Sequence, residues 1–134
     1  MTHEELMSHL DNVIYALEND TGATWTLGDY DTDFDIETWS DAGEDVIISL
    51  HGTTLEQLAT DAENAASNFD AEEHAAKIFL AKREGSESAR RFYEAAPDSL
   101  SELLRDAEQI HGLHRALAAM LKLEAEKVKK ARVA

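Results

Sequence analysis

From Asp29 to Glu37 every second residue is an acid: Asp29, Asp31, Asp33, Asp35 and Glu37. Alternating oxygens of this kind suggest calcium, since an EF-hand loop takes ligands from positions 1, 3, 5, 7, 9 and 12. Counted from Asp29, the position that needs Gly for the turn is Phe34, and the position of the bidentate Glu is Ser40. The interleaved Phe34, Ile36 and Thr38 fit an extended strand better than a looping metal site. A strand sends Asp33, Asp35 and Glu37 to one face at intervals of about 6.6–6.8 Å. The result is a straight, even row of carboxylates, geometrically like the charge rail of a nucleic-acid backbone. Basic grooves of DNA-handling proteins are built to bind such a rail. The plainer use of the same row is a strand face charged for solubility.

Further acids widen this field. Asp41, Glu44 and Asp45 fall at the next turn, Glu56, Asp61 and Glu63 on the following helix, and Asp70, Glu72 and Glu73 beyond it. Glu56 and Glu63 lie one heptad apart on nearly one helix face, and neither has a cation four residues on. Asp29, Asp31, Asp33, Asp35, Glu37, Asp41, Glu44, Asp45, Glu56 and Glu63 are therefore the expected partner-binding set. The imbalance extends well past the strand. Residues 1–76 contain nineteen Asp and Glu and no Lys or Arg, while residues 77–134 hold nine acids and all twelve bases. A net charge of −16 far exceeds the roughly 2–8 that solubility asks of a small domain. Such an excess points to salt adaptation or to a surface that meets something positive.

Other chemistry has weaker support. Glu108, His111 and His114 recur at helical spacing and could touch one metal, but His114 also continues an apolar stripe and no local fourth ligand follows. No metal or cofactor is expected. His51 and His74 stand apart, and His74 reads as a surface or boundary residue. No P-loop, Gly-rich dinucleotide turn, HExxH or nucleophile elbow occurs, and no carboxylate pair stands out, so the chain reads as a non-enzyme. Lys77, Lys82, Arg83, Arg90, Arg91, Lys127, Lys129, Lys130 and Arg132 could form a basic patch. The bulk negative field opposes direct contact with nucleic acid and with anionic membrane. With no cysteine, disulfide and thiolate chemistry are excluded. The segment MTHEELMSHLDN lacks the charge pattern of a signal peptide, no apolar run approaches the ~20 residues of a membrane span, and a cytoplasmic location is the default.

These side chains need elements to place them. Thr2 and Glu5 form a capping box for a helix over 3–19, with Leu6, Leu10, Val13, Ile14 and Leu17 on one face. The period then drops from 3.6 to 2, giving strands around Trp25 and Leu27, from Tyr30 to Thr38, and from Val46 to Leu50. Three short strands without crossover helices predict an antiparallel meander. Helices follow over 54–68, with Leu55, Leu58, Ala62, Ala65 and Phe69 inward, and over 70–83, ended by Gly85. A short segment over 86–95 places Ala89, Phe92 and Tyr93 inward. Pro97 separates it from a long last helix, capped by Asp98 or Ser99, with Leu100, Leu103, Leu104, Ala107, Ile110, His114, Leu117 and Leu121 as its stripe. Gly112 inside that helix reads as a kink, a close contact or an incidental residue. The expected fold is a single α+β domain: a three-stranded antiparallel sheet packed against several helices, with basic last turns (124–134) where fraying is expected. Trp25, Tyr30, Phe34 and Trp39 are candidate interface anchors, with core packing the commoner role at alternating strand positions.

Two segments carry a resemblance, Phe69-Asp70-Ala71-Glu72-Glu73-His74-Ala75 and Ser99-Leu100-Ser101-Glu102-Leu103-Leu104-Arg105-Asp106-Ala107-Glu108. They resemble pieces of small acidic accessory proteins of phages and bacterial mobile elements. That resemblance implies an anti-CRISPR or anti-restriction protein of the DNA-mimic kind, which occupies the DNA- or PAM-binding groove of a nuclease. It supplies no catalytic motif. The expected function is thus inhibition of a bacterial defence nuclease, a CRISPR effector before a restriction enzyme. The alternative is an acidic structural or regulatory interaction module, dimerising through its last helix.

Overall fold

The computed structural model describes residues 2–30, 33–84 and 96–133. Helix α1 (His3–Thr21) starts where the sequence sets a cap: Thr2 Oγ1 accepts the Glu5 N–H at 3.1 Å and donates to the Glu5 carboxylate at 3.2 Å. It ends at Gly22, left-handed at φ 71°, whose N–H donates to Glu18 O. Strands β1 (Thr26–Tyr30), β2 (Asp33–Trp39) and β3 (Asp45–His51) follow. Helix α2 (Leu55–Asn68) is capped by Thr54, and α3 (Ala71–Arg83) by Asp70. Helix α4 (Leu100–Val133) runs for 34 residues, about 51 Å at 1.5 Å per residue. Of its two candidate caps, Ser99 Oγ takes the Glu102 N–H at 3.3 Å, while Asp98 binds Lys82 at 3.2 Å. The expected segment over 86–95 and the Gly85 stop lie outside the described residues.

The sheet is an antiparallel meander of order β1-β2-β3. Its period-two alternation buries Phe34, Ile36 and Thr38 of β2 against Val46, Ile48 and Leu50 of β3. Trp25 joins them just ahead of β1. The Thr38 hydroxyl, fully buried, donates to Thr24 O at 2.9 Å, and the Trp25 indole N–H finds Thr21 Oγ1 at 3.0 Å. The inner sheet face shares one core with Leu6, Leu10, Val13 and Leu17 of α1, Leu55 and Leu58 of α2, and Ile110, Leu113, Leu117 and Leu121 of α4. A second, smaller cluster joins Ala75 and Ile78 of α3 to Leu103 and Ala107 of α4, with Ala96. The expected α+β architecture, sheet and long last helix are therefore all present. Among the described residues no helix is long and apolar enough to cross a membrane.

One detail of α4 differs from expectation, and another decides among the readings left open for Gly112. Leu100 is exposed and Leu113 is buried, because the helix packs first on α3 and then on α1, α2 and the sheet. Its buried stripe rotates with the change of partner. Gly112 makes no close helix contact: a Cβ built there meets no atom within 4 Å among the described residues. Gly112→Ala is therefore expected to stabilise the fold by about 0.4–1 kcal/mol, since it only narrows the unfolded ensemble and favours helix. Gly22→Ala, at a left-handed position, should cost about 1 kcal/mol. Chemical denaturation of both variants checks the opposite signs.

Candidate functional site: the outer sheet face

The alternation that buries Phe34 and Ile36 leaves Asp33, Asp35, Glu37 and Trp39 on the opposite face of β2. The register adds the neighbours from each side. Thr26 and Ile47 flank Glu37, Gly28 and Ser49 flank Asp35, His51 lies beside Asp33, and Asp45 beside Trp39. The face is thus a row of carboxylates interrupted by two apolar side chains that remain in water, Trp39 at 41% and Ile47 at 57% exposure.

Hydrogen bonds fix two of these acids. Ser49 Oγ donates to Asp35 Oδ1 at 2.7 Å, and the His51 ring holds Asp33 Oδ1 through Nδ1 at 2.5 Å. That bond to Asp33 and its charge, with added fields from Asp61 and Asp35, raise the His51 pKa above the usual imidazole value. The His51 backbone N–H donates to Asp61 Oδ2 of α2 at 2.9 Å. Around this joint lies an open groove of about 340 Å³ lined by His51, Glu56, Gln57, Thr60, Asp61 and Asn64. The anionic face therefore continues from the sheet onto the first turns of α2.

The ten expected partner-binding residues separate into groups. Asp33, Asp35, Glu37 and Asp45 share the outer face, and Glu56 adjoins it through the groove. Asp41 is exposed at the β2–β3 turn, its N–H held by Gln109 Oε1 at 2.8 Å. Asp29 stands opposite Phe34 in register, and Asp31 lies outside the described residues. Glu63 is in a different place: it lines a groove of about 530 Å³ between α2 and α4 with His111 and Arg115, and meets Lys122 at 3.9 Å. The heptad spacing of Glu56 and Glu63 does not bring them to one site.

Glu44 requires a correction. It is 6% exposed, turned under the hairpin, with Oε1 2.7 Å from His74 Nε2. It cannot be part of a displayed field. Burial works to raise its pKa, but hydrogen bonds with His74 and Asp106, and the charges of His74 and Lys82, hold it below the usual value. His74 is half-buried, as a boundary residue should be, yet its ring is committed to this carboxylate.

Sequence reasoning passed over Ile47. The signal was there: Val46, Ile47 and Ile48 are consecutive apolar residues in a strand, so one of them must face outward. The histidines of α4 do packing work. Phe69 lies between the rings of His74, His111 and His114 at centroid distances of 5.3, 5.5 and 4.9 Å. His111 donates to Ala66 O at 2.8 Å, His114 bonds Ile110 O at 3.0 Å, and burial lowers the His114 pKa. Among the described residues no three His, Asp or Glu side chains are placed to hold a metal ion.

No protein-family model matches the chain, and neither a curated protein nor a solved structure matches it.

Asp33→Asn removes the main cause of the His51 shift. A proton NMR titration should place the wild-type His51 midpoint above 6.5 and move it down towards 6.5 in the variant. An unchanged midpoint would separate His51 from the row.

Proposed function

We propose that this protein is a non-enzymatic inhibitor that imitates the charge of DNA. In this reading its outer sheet face occupies the nucleic-acid or PAM-binding groove of a bacterial defence nuclease, a CRISPR effector before a restriction enzyme. One observation carries the reading: Asp33, Asp35 and Glu37 stand in line on a rigid strand, beside exposed Trp39 and Ile47. The strand interval of about 6.7 Å spaces the acids as a straight, even row of anions, like the charge rail of a nucleic-acid backbone. Solubility alone would be served by the acids and leaves a half-exposed Trp and Ile unexplained. An interface uses both, with charge for steering and register and apolar anchors for residence time.

A competition assay between labelled DNA and this protein on a candidate nuclease tests the proposal. Combined Asp35→Lys, Glu37→Lys and Asp45→Lys should weaken inhibition by at least about 100-fold. Glu126→Lys, on an exposed turn of α4, should change it by less than about 3-fold. Trp39→Ala should cost about 10-fold or more if the ring is an anchor. Binding should also weaken steeply between 50 and 200 mM salt, which are the conditions chosen for the assay. DNA binding and cleavage unchanged at saturating protein would reject that nuclease, and equal losses from Glu126→Lys would reject the surface.

One further observation favours a second reading, an interaction module that dimerises through α4. Tyr15 and Leu123, 71% and 50% exposed, flank a groove of about 350 Å³ between α1 and α4. Sedimentation at low and high salt distinguishes the two. A dimer that persists in high salt and is lost in Leu123→Glu supports the helix-mediated module.

A further inference from the structure

The turn between β2 and β3 is closed on itself and fastened from two sides. The Ser40 N–H donates to Glu44 O and the Gly43 N–H to Ser40 O, both at 2.9 Å, and the Glu44 N–H donates to Ser40 Oγ at 3.0 Å. Gly43 makes the reversal at φ 89°, a conformation other residues rarely adopt. From α3, His74 Nε2 donates to Glu44 Oε1. From α4, Asp106, also 6% exposed, brings a second carboxyl that takes hydrogen bonds from Ser40 and from the Ala42 N–H.

This leaves Glu44 Oε2 and Asp106 Oδ2. Both atoms are buried, neither meets a donor among the described residues, and the two carboxyls lie within hydrogen-bonding reach of each other. Two carboxylate oxygens cannot bond without a proton between them, and burying both unpaired is costly. A hard divalent cation would need six or more oxygens, far beyond this pair. A single shared proton satisfies both atoms.

We propose that Glu44 and Asp106 form a buried proton site, one proton between two carboxyls, that fastens the β2–β3 turn to α3 and α4 and loosens when the proton leaves. The proton resides on Asp106, whose O–H donates to Glu44 Oε2, while the ionised Glu44 is supported by His74. Burial and the neighbouring Glu44 carboxylate push the Asp106 pKa up to about 6. Lys82 of α3 also acts on Glu44 through its charge, though its ammonium is bound to Ala96 O, Pro97 O and Asp98. On the α4 side, Glu102 and Arg105 line a cavity of about 260 Å³ with Asp41, Pro97, Asp106 and Gln109.

The pH dependence has a definite sign. Asp106 binds its proton more tightly folded than unfolded. Its contribution to stability is full below about 3.8 and is lost as pH rises through about 6. Glu44 acts in the other direction: its contribution is full above 4.5 and is lost as pH falls through its lowered value. The turn is held most firmly near pH 4.5, where the Glu44 contribution is full and that of Asp106 has only begun to be lost. This inference deepens the proposed function, because the same hairpin carries the acidic row. The site itself belongs to the free protein and can be measured with no partner present.

Carbon-13 NMR titration of the Glu44 and Asp106 carboxyls, with thermal unfolding from pH 4.5 to 8, tests it. Asp106 should titrate near 6, coupled to Glu44, and the wild-type Tm should fall by about 3–6 °C between pH 5.5 and 7.5. Asp106→Asn supplies an N–H where the proton sits. It should flatten that fall and leave Tm at pH 7.5 at or above wild type, with Glu44→Gln as a second variant. Asp106 titrating near 3.8 in wild type, or a wild-type pH profile in both variants, overturns the proposal, whether or not any nuclease is inhibited.

Discussion

The register of β2 is the constraint on which the rest of the molecule depends. This strand is hydrogen-bonded on both sides, with β1 and with β3, so its side chains have no freedom to exchange faces. A slip of one residue would turn Phe34 and Ile36 into water and Asp33, Asp35 and Glu37 into the core. Each large apolar side chain lost from the interior costs about 1.5–3 kcal/mol, and each carboxylate driven into it several more. Against a typical folding free energy of about 5–15 kcal/mol, no such alternative is populated. The apolar half of the pattern therefore enforces the anionic half.

The same logic governs how the molecule tolerates its charge. Residues 1–76 offer no Lys or Arg, so the only side chains there able to become cations are histidines. The fold uses them accordingly. His9 meets the largely buried Glu124 at 2.9 Å, with Asn12 at 3.4 Å, His51 meets Asp33, and His74 meets Glu44. Each of these contacts sets against a carboxylate an imidazole from the part of the chain that has no Lys or Arg to offer. Of the bases further along, Lys77 and Lys122 make exposed pairs with Glu73 and Glu63, which contribute about 0–1 kcal/mol each. Lys82 differs: largely buried, it ties the end of α3 to the chain at 96–98.

What could be read from the sequence was local in the chain. The caps at Thr2, Thr54 and Asp70 place their acceptor and its donor three residues apart, and all three form. The outward row could be read for the same reason, because neighbouring residues define period two. Glu44 could not. Nothing around it distinguishes it from Asp41 or Asp45, and its fate is decided by His74 and Asp106, which only the folded topology brings near. Leu100 and Leu113 failed likewise, since a helical stripe predicts a buried face for one partner and α4 has several in succession. Glu63 belongs with them, its neighbour Lys122 arriving from the far end of the chain.

Charge of this density needs no fold, since a disordered acidic tail would carry it equally well. A tail would have to be ordered on binding, at about 1–2 kcal/mol per residue of backbone. A row held on a central strand has already met that cost through the core beneath it. Trp39 and Ile47 share this fixed placement, beside Asp45 and Glu37 in the register of the sheet. The β2–β3 turn is anchored to the helices as well as to the sheet. Its attachment to α3 and α4 through Glu44, Asp106 and Gln109 keeps Trp39 and Asp45 in line with Asp35 and Glu37. The acid withdrawn from the surface thus serves the acids that remain on it.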